Sequence, residues 1–369
     1  MTPHPPTLSQ SLGREANNFD LVRLFAACAI VCSATDVIRP TGSGAAIATG
    51  SGFDSAGSLG VYAFFLMSGL LLSASFERQR SAPRFVALRL ARCLPALLGA
   101  TLVAWFVAGP ILTPLSLHDY FAALPAKRGW LLPGNIVTPL WTLASLMLCA
   151  LLVLIAGMFG LLSTRRRLTI TVLIALAACS MRTGVPELPS GWRVVADNAG
   201  FFAVSPELFF LLGMLAYGWR ERISMGALVA CGLLLVFLVF RDTAGAQMLF
   251  YIAFVYGLLW VSVTPMLHRW RPRHDYSYAI CLYGFVVQQC VAARLPGISP
   301  MLALVVGAPF ILALAALSSR WIERPVMNWC RERIGRNEAH QLERRKTRDR
   351  PYERAPMSAA DLAVRWPPL

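Results

Sequence analysis

Residues 224–265 read SMGALVACGLLLVFLVFRDTAGAQMLFYIAFVYGLLWVSVTP. Two apolar runs, 224–240 and 246–265, flank a short break that carries Arg241 and Asp242. Each run falls in the range of roughly 17–25 residues that an α-helix needs to cross the hydrocarbon core of a bilayer. Read outward from this stretch, the same criterion marks 20–38, 59–76, 88–109, 138–162, 168–182, 201–218, 276–293 and 299–319, of which 168–182 is the shortest. The expected fold class is therefore all-α: a polytopic integral membrane helix bundle of about ten transmembrane helices. Composition agrees, because 56% of the 369 residues are hydrophobic and 14% charged, against about 25% charged in an ordinary soluble domain.

The formal net charge is +15, yet the arginines sit at the ends of apolar runs and form no continuous basic face. That distribution excludes nucleic acid as the expected partner and points to topology. With a cytoplasmic amino terminus, the internal loops contain Arg78, Arg80 and Arg84, then Arg165, Arg166 and Arg167, then Arg220 and Arg222, then Arg269, Arg271 and Arg273. The external loops hold only isolated basic residues, such as Arg39 and Arg193. The Lys/Arg bias of short loops sets orientation, so both termini are expected in the cytoplasm.

Residues 1–19 read as a polar cytoplasmic segment without a signal peptide, 20–330 as the membrane domain, and 331–369 as a basic, disordered cytoplasmic tail in contact with solvent or with the headgroups of membrane lipids. Cysteines such as Cys28, Cys149 and Cys231 lie inside apolar segments, where a thiol acts as a small hydrophobe. Cys28 and Cys32 share a helix face but lack His or carboxylate partners, so no metal site is expected. No internal repeat suggests the paired halves of a transporter, and intramembrane charge is sparse.

Four stretches in order carry a resemblance: NNFDLVRLFAACAIVCSA at 17–34, GVYAFFLMSGLLLSASF at 60–76 with RFVALRLARCLPAL at 84–97, PLWTL at 139–143, and SYAICLYGFVVQQ at 277–289 followed by RWIERPV at 320–326. Together they resemble acyltransferase family 3 over about residues 17–330. The resemblance implies a ten-helix bundle in a bacterial inner membrane. It also implies transfer of an acyl group, commonly acetyl, from cytoplasmic acyl-CoA (acetyl-CoA) to a hydroxyl of a cell-envelope glycan or another acceptor.

Such chemistry needs a base, donors for the oxyanion and a site for the phosphates of the donor. The resemblance implies a catalytic His where this chain has Ala34, and a Glu where it has Leu146. A general base contributes about 10²–10⁴-fold in rate, so the two replacements set an active enzyme against an inactive relative that serves a partner enzyme in glycan assembly. Asp36, two residues past Ala34, is either a substitute base or a solvated helix-end carboxylate.

Arg89 and Arg92 keep the family's Arg-x-x-Arg arrangement, and their i, i+3 spacing puts both guanidinium groups on one helix face. There they grip the phosphates of acyl-CoA or anchor the helix by snorkelling. Trp141 and Thr142 open the fourth span, either against a sugar or as an ordinary interfacial pair. Ser68 and Gly69 read as helix-packing residues. Glu207 reads as a functional acid or as a helix-start carboxylate. Glu323 with Arg320 and Arg324 reads as an ion-pair cluster fixing the last helix.

Overall fold

Helices stand at every one of the ten apolar stretches. In chain order they are α2 (Phe19–Ile38), α3 (Ala56–Gln79), α4 (Ala82–Leu112), α5 (Pro139–Met158), α6 (Arg165–Arg182), α7 (Pro206–Gly218), α8 (Ala227–Val239), α9 (Ala246–Val263), α10 (Ser277–Arg294) and α11 (Pro300–Ile334), preceded by a short α1 (Leu8–Leu12). This computed structural model describes residues 6–12, 17–38, 54–79, 81–112, 118, 139–182, 204–270, 272, 275–334 and 336. No β-strand occurs among the described residues.

Local sequence explains where several helices begin. Pro206 and Pro300 occupy first-turn positions, where a missing N–H costs nothing. Ser299 caps α11 by accepting a bond from the Leu302 amide at 3.3 Å. Inside the bundle the prolines need a different remedy. A proline ring clashes with the carbonyl four residues earlier, which for Pro110 is Phe106 and for Pro325 is Trp321. Both carbonyls belong to π-helical turns, at Ala104–Ala108 and Ser319–Glu323. The wider turn lets α4 and α11 continue through Pro110 and Pro325, whereas Pro95 of α4 and Pro309 of α11 stand in ordinary α-helix.

The helix that begins at Pro300 runs on past the expected end of the last span near residue 319. At 35 residues, α11 is about 52 Å long, well beyond a hydrocarbon core of about 30 Å. Its last turns therefore project from one end of the bundle, with Glu323 and Pro325 inside the helix. The tail beyond residue 336 lies outside the described residues.

Among the described residues, four helices are long and apolar enough to cross a membrane: Ala56–Arg78, Ala82–Leu112, Ala246–Val263 and Pro300–Ile334. Large apolar side chains face outward, including Leu228 at 88% exposure, Phe25 at 67% and Phe310 at 61%. Such a surface suits lipid, and the chain is an integral membrane helix bundle.

Helix α3 forms the centre, packed against α2 and α7. A Cβ on Gly69 would lie 2.0 Å from the Phe210 carbonyl oxygen, and one on Gly213 2.1 Å from that of Leu66. Only glycine lets these backbones meet, and without a hydrophobic drive between helices in lipid such close approach supplies the dispersion that holds them. Helices α2 and α10 run parallel: Arg23 lies 3.4 Å from Asp275 just before α10, and further along both helices Val31 packs on Gly284.

Polar contacts tie the helices together at one end. There Tyr217 and Arg220, at the close of α7, reach Glu77 at the close of α3, and Arg165, opening α6, pairs with Glu221. The Asn18 amide donates to the carbonyls of Val261 and Thr264 at 3.0 and 2.7 Å, joining the start of α2 to the end of α9.

Candidate functional site

The arginine-rich end encloses a cavity of ≈ 580 Å³. Arg23 enters it from α2, Arg78 from α3, Arg84, Arg89 and Arg92 from α4, and Arg331 from the projecting end of α11. No carboxylate is among its described lining residues. Its walls combine these cations with Ser68, Ser75 and apolar side chains, so the site presents positive charge in a partly desolvated pocket. Guanidinium groups in that setting recognise phosphate through charge-assisted, bidentate hydrogen bonds.

Within the cluster the arginines are not equivalent. Asp275 pairs with Arg92 and, at 3.4 Å, with Arg23. It also accepts bonds from the Ser277 hydroxyl and, at 3.1 Å, from the Ser277 amide. Burial alone would raise the carboxyl's pKa, but Arg23, Arg92 and the two Ser277 bonds outweigh it and hold the group below the usual carboxylate range. Arg89 differs: its Nε is buried and has no hydrogen-bond partner among the described residues. A buried donor without a partner costs about 1–3 kcal/mol, more when charged. An anion arriving in the pocket supplies the partner that this donor lacks.

The pocket unites Arg89 and Arg92, as their spacing implied, and adds four arginines that sequence reasoning did not assign to it. Arg23 was visible within the 17–34 stretch, but only the packing of α2 on α3 and α10 places it there. Arg331 needed the unexpected length of α11. Ser68, read as a packing residue, also lines the cavity, whereas Gly69 is confined to packing.

The other candidates fall elsewhere. Asp36 lies in the last turns of α2, and Trp141 and Thr142 in the first turn of α5, with all three side chains outside the described residues. Glu207 stands in the first turn of α7 and accepts a bond from the Ser205 hydroxyl, a position favoured by the helix dipole. The expected Glu323 cluster is corrected. Glu323 accepts from the Ser318 hydroxyl at 3.1 Å, and Arg324 donates instead to the Tyr276 hydroxyl at 3.3 Å.

At the opposite end of the bundle Asp54 accepts hydrogen bonds from Tyr62, at 3.1 Å, and from Tyr251. Tyr62 stacks on Phe209 with ring centroids 4.2 Å apart. Between the two ends, the Ser33 hydroxyl and both polar atoms of the Gln288 amide are buried without a hydrogen-bond partner among the described residues. Ala34 is buried, and Leu146 packs against the apolar core.

Residues 17–329 match the acyltransferase domain of acyltransferase family 3. The chain is also similar to an O-acetyl transferase of Shigella phage Sf6, with 26% identity over 334 residues that cover 84% of this chain and 96% of the phage protein. No solved structure matches it. The match spans all the described helices but α1, including each one that lines the arginine pocket up to the last turn of α11, and on that basis the chain belongs to acyltransferase family 3.

Proposed function

We propose that this protein is an O-acyltransferase of a bacterial inner membrane that takes an acyl group, commonly acetyl, from acyl-CoA on the cytoplasmic side and delivers it to a hydroxyl of a cell-envelope glycan. The observation that carries the donor half is the six-arginine pocket in which the buried Arg89 Nε has no hydrogen-bond partner among the described residues. Coenzyme A is rich in phosphate, and such a pocket suits it better than it suits a neutral ligand. The arginine-rich end then faces the cytoplasm with both termini, in keeping with the positive-inside bias. Arg89 and Arg92 bind phosphate, and Asp275, shared between Arg23 and Arg92, offsets part of their charge. The O-acetyl transferase of phage Sf6 supports an acetyl group and a hydroxyl acceptor.

The acceptor approaches from the far end, where Trp141 and Thr142 open α5. Asp36 stands near that end of α2 and is the proposed base in place of the histidine that Ala34 replaces. Acyl-CoA binding to the full chain in lipid nanodiscs tests the donor site. The Arg89→Ala, Arg92→Ala double variant should weaken binding at least tenfold, and unchanged affinity would remove the phosphate role.

Ala34 and Leu146 favour a second reading, an inactive relative that retains the donor pocket and supports a partner enzyme. Turnover of labelled acetyl-CoA onto a glycan extract separates the two. Activity in the wild type excludes the second reading; activity that arises only in an Ala34→His, Leu146→Glu variant establishes it.

A further inference from the structure

Gln288 is 1% exposed, and neither its Nε2 nor its Oε1 has a hydrogen-bond partner among the described residues. A carboxamide offers two donors and an acceptor, and in a lipid-embedded bundle no bulk water relieves them. The surrounding helices make room for this group. A Cβ on Gly307 of α11 would come within 2.8 Å of Nε2, so the glycine keeps open the space that the amide fills.

Helix register fixes its height in the bundle. Val31 of α2 lies on Gly284 of α10, and the two helices are parallel, so one further turn on each brings Gln288 level with Thr35, beside Ala34. From Asp275, at the rim of the arginine cluster, Gln288 is about 20 Å along α10 at 1.5 Å per residue. An acyl-CoA held by its phosphates among the arginines carries its thioester at the end of an extended pantetheine arm, on that scale of length.

We infer that Gln288 is a catalytic residue that binds the reacting acyl group: Nε2 donates to the thioester carbonyl oxygen. This rests on the donor reading above. In the step itself the hydroxyl oxygen adds to the thioester carbon and the C–S bond breaks. The hydroxyl proton ends on the departing coenzyme A sulfur, and Gln288 forms no covalent bond. A fixed donor aimed at the carbonyl oxygen stabilises the negative charge that gathers there as the tetrahedral intermediate forms.

The test compares wild type, Gln288→Met and Gly307→Ala in nanodiscs, with acetyl-CoA labelled with ¹³C at the carbonyl and with coenzyme A as probes. In the wild type the bound carbonyl stretch should move to lower frequency, and acetyl-CoA should bind roughly two- to tenfold more tightly than coenzyme A, the worth of one neutral hydrogen bond. Both effects should vanish in Gln288→Met and shrink in Gly307→Ala, with coenzyme A affinity unchanged. Turnover should fall by about 10²–10³-fold, as for removal of an oxyanion donor.

An unshifted carbonyl band in the wild type, or one that Gln288→Met leaves in place, overturns the assignment while the donor site stands. If neither probe binds the wild type, the donor reading fails and takes this one with it. Should Gln288→Met not fold, the wild-type band and Gly307→Ala decide the matter.

Discussion

Replacing Asp275 with Asn removes one negative charge from between Arg23 and Arg92 while preserving shape and the bonds from Ser277. The Arg23 and Asp275 side chains are 13% and 19% exposed, whereas Arg92 is 47% exposed. The cost therefore falls mainly on Arg23, because a half-exposed ion pair contributes little. Breaking a buried pair from one side costs about 3–5 kcal/mol when the remaining charge is left alone; Arg23 keeps Asp20 at 3.8 Å and Asn retains the Ser277 bonds, so we expect about 1–3 kcal/mol. The pH dependence has a definite sign. The folded-state pKa of Asp275 is depressed below an unfolded value of about 3.9. Its stabilisation is therefore fully present above that value and is lost as pH falls through the folded pKa. Thermal unfolding of purified protein in detergent, followed from neutral pH down through the carboxylate range, should show a lower midpoint for Asp275→Asn at neutral pH and convergence with wild type in acid. Coenzyme A affinity should rise in the variant, because Arg92 no longer shares its charge with a carboxylate. Equal midpoints at neutral pH, or a gap that widens in acid, would refute this account of the cluster.

Glycine packing can be checked by contrast. Gly69→Ala places a methyl group 2.0 Å from the Phe210 carbonyl oxygen, where neither backbone yields easily, and should cost about 3 kcal/mol. Gly232→Ala meets nothing within 4 Å and should stabilise α8 by up to about 1 kcal/mol through helix propensity; thermal midpoints that fail to separate the two variants would count against the close α3–α7 approach. Asn18→Ala deletes the bonds to the Val261 and Thr264 carbonyls and should lower stability by about 1–3 kcal/mol, read as faster hydrogen exchange at the end of α9.

Apolar runs of about twenty residues mark this chain as a helical membrane protein before any tertiary contact is known, because their burial in lipid depends on local composition alone. The sequence also ordered the motifs that mark the family, and the i, i+3 spacing of Arg89 and Arg92 was enough to put both on one face of α4. What surrounds that face was decided only by tertiary structure. Arg23 and Asp275 are separated by 252 positions, and nothing local brings them together; the parallel packing of α2 and α10 does. Arg331 reaches the pocket because a π-turn carries α11 through Pro325, which local rules read as a stop. Gln288, beside a second glutamine at 289 in an otherwise apolar helix, carries no signal in the sequence that separates the two. Its meaning lies in what does not touch it, and an absence of hydrogen-bond partners is a property of the assembled bundle.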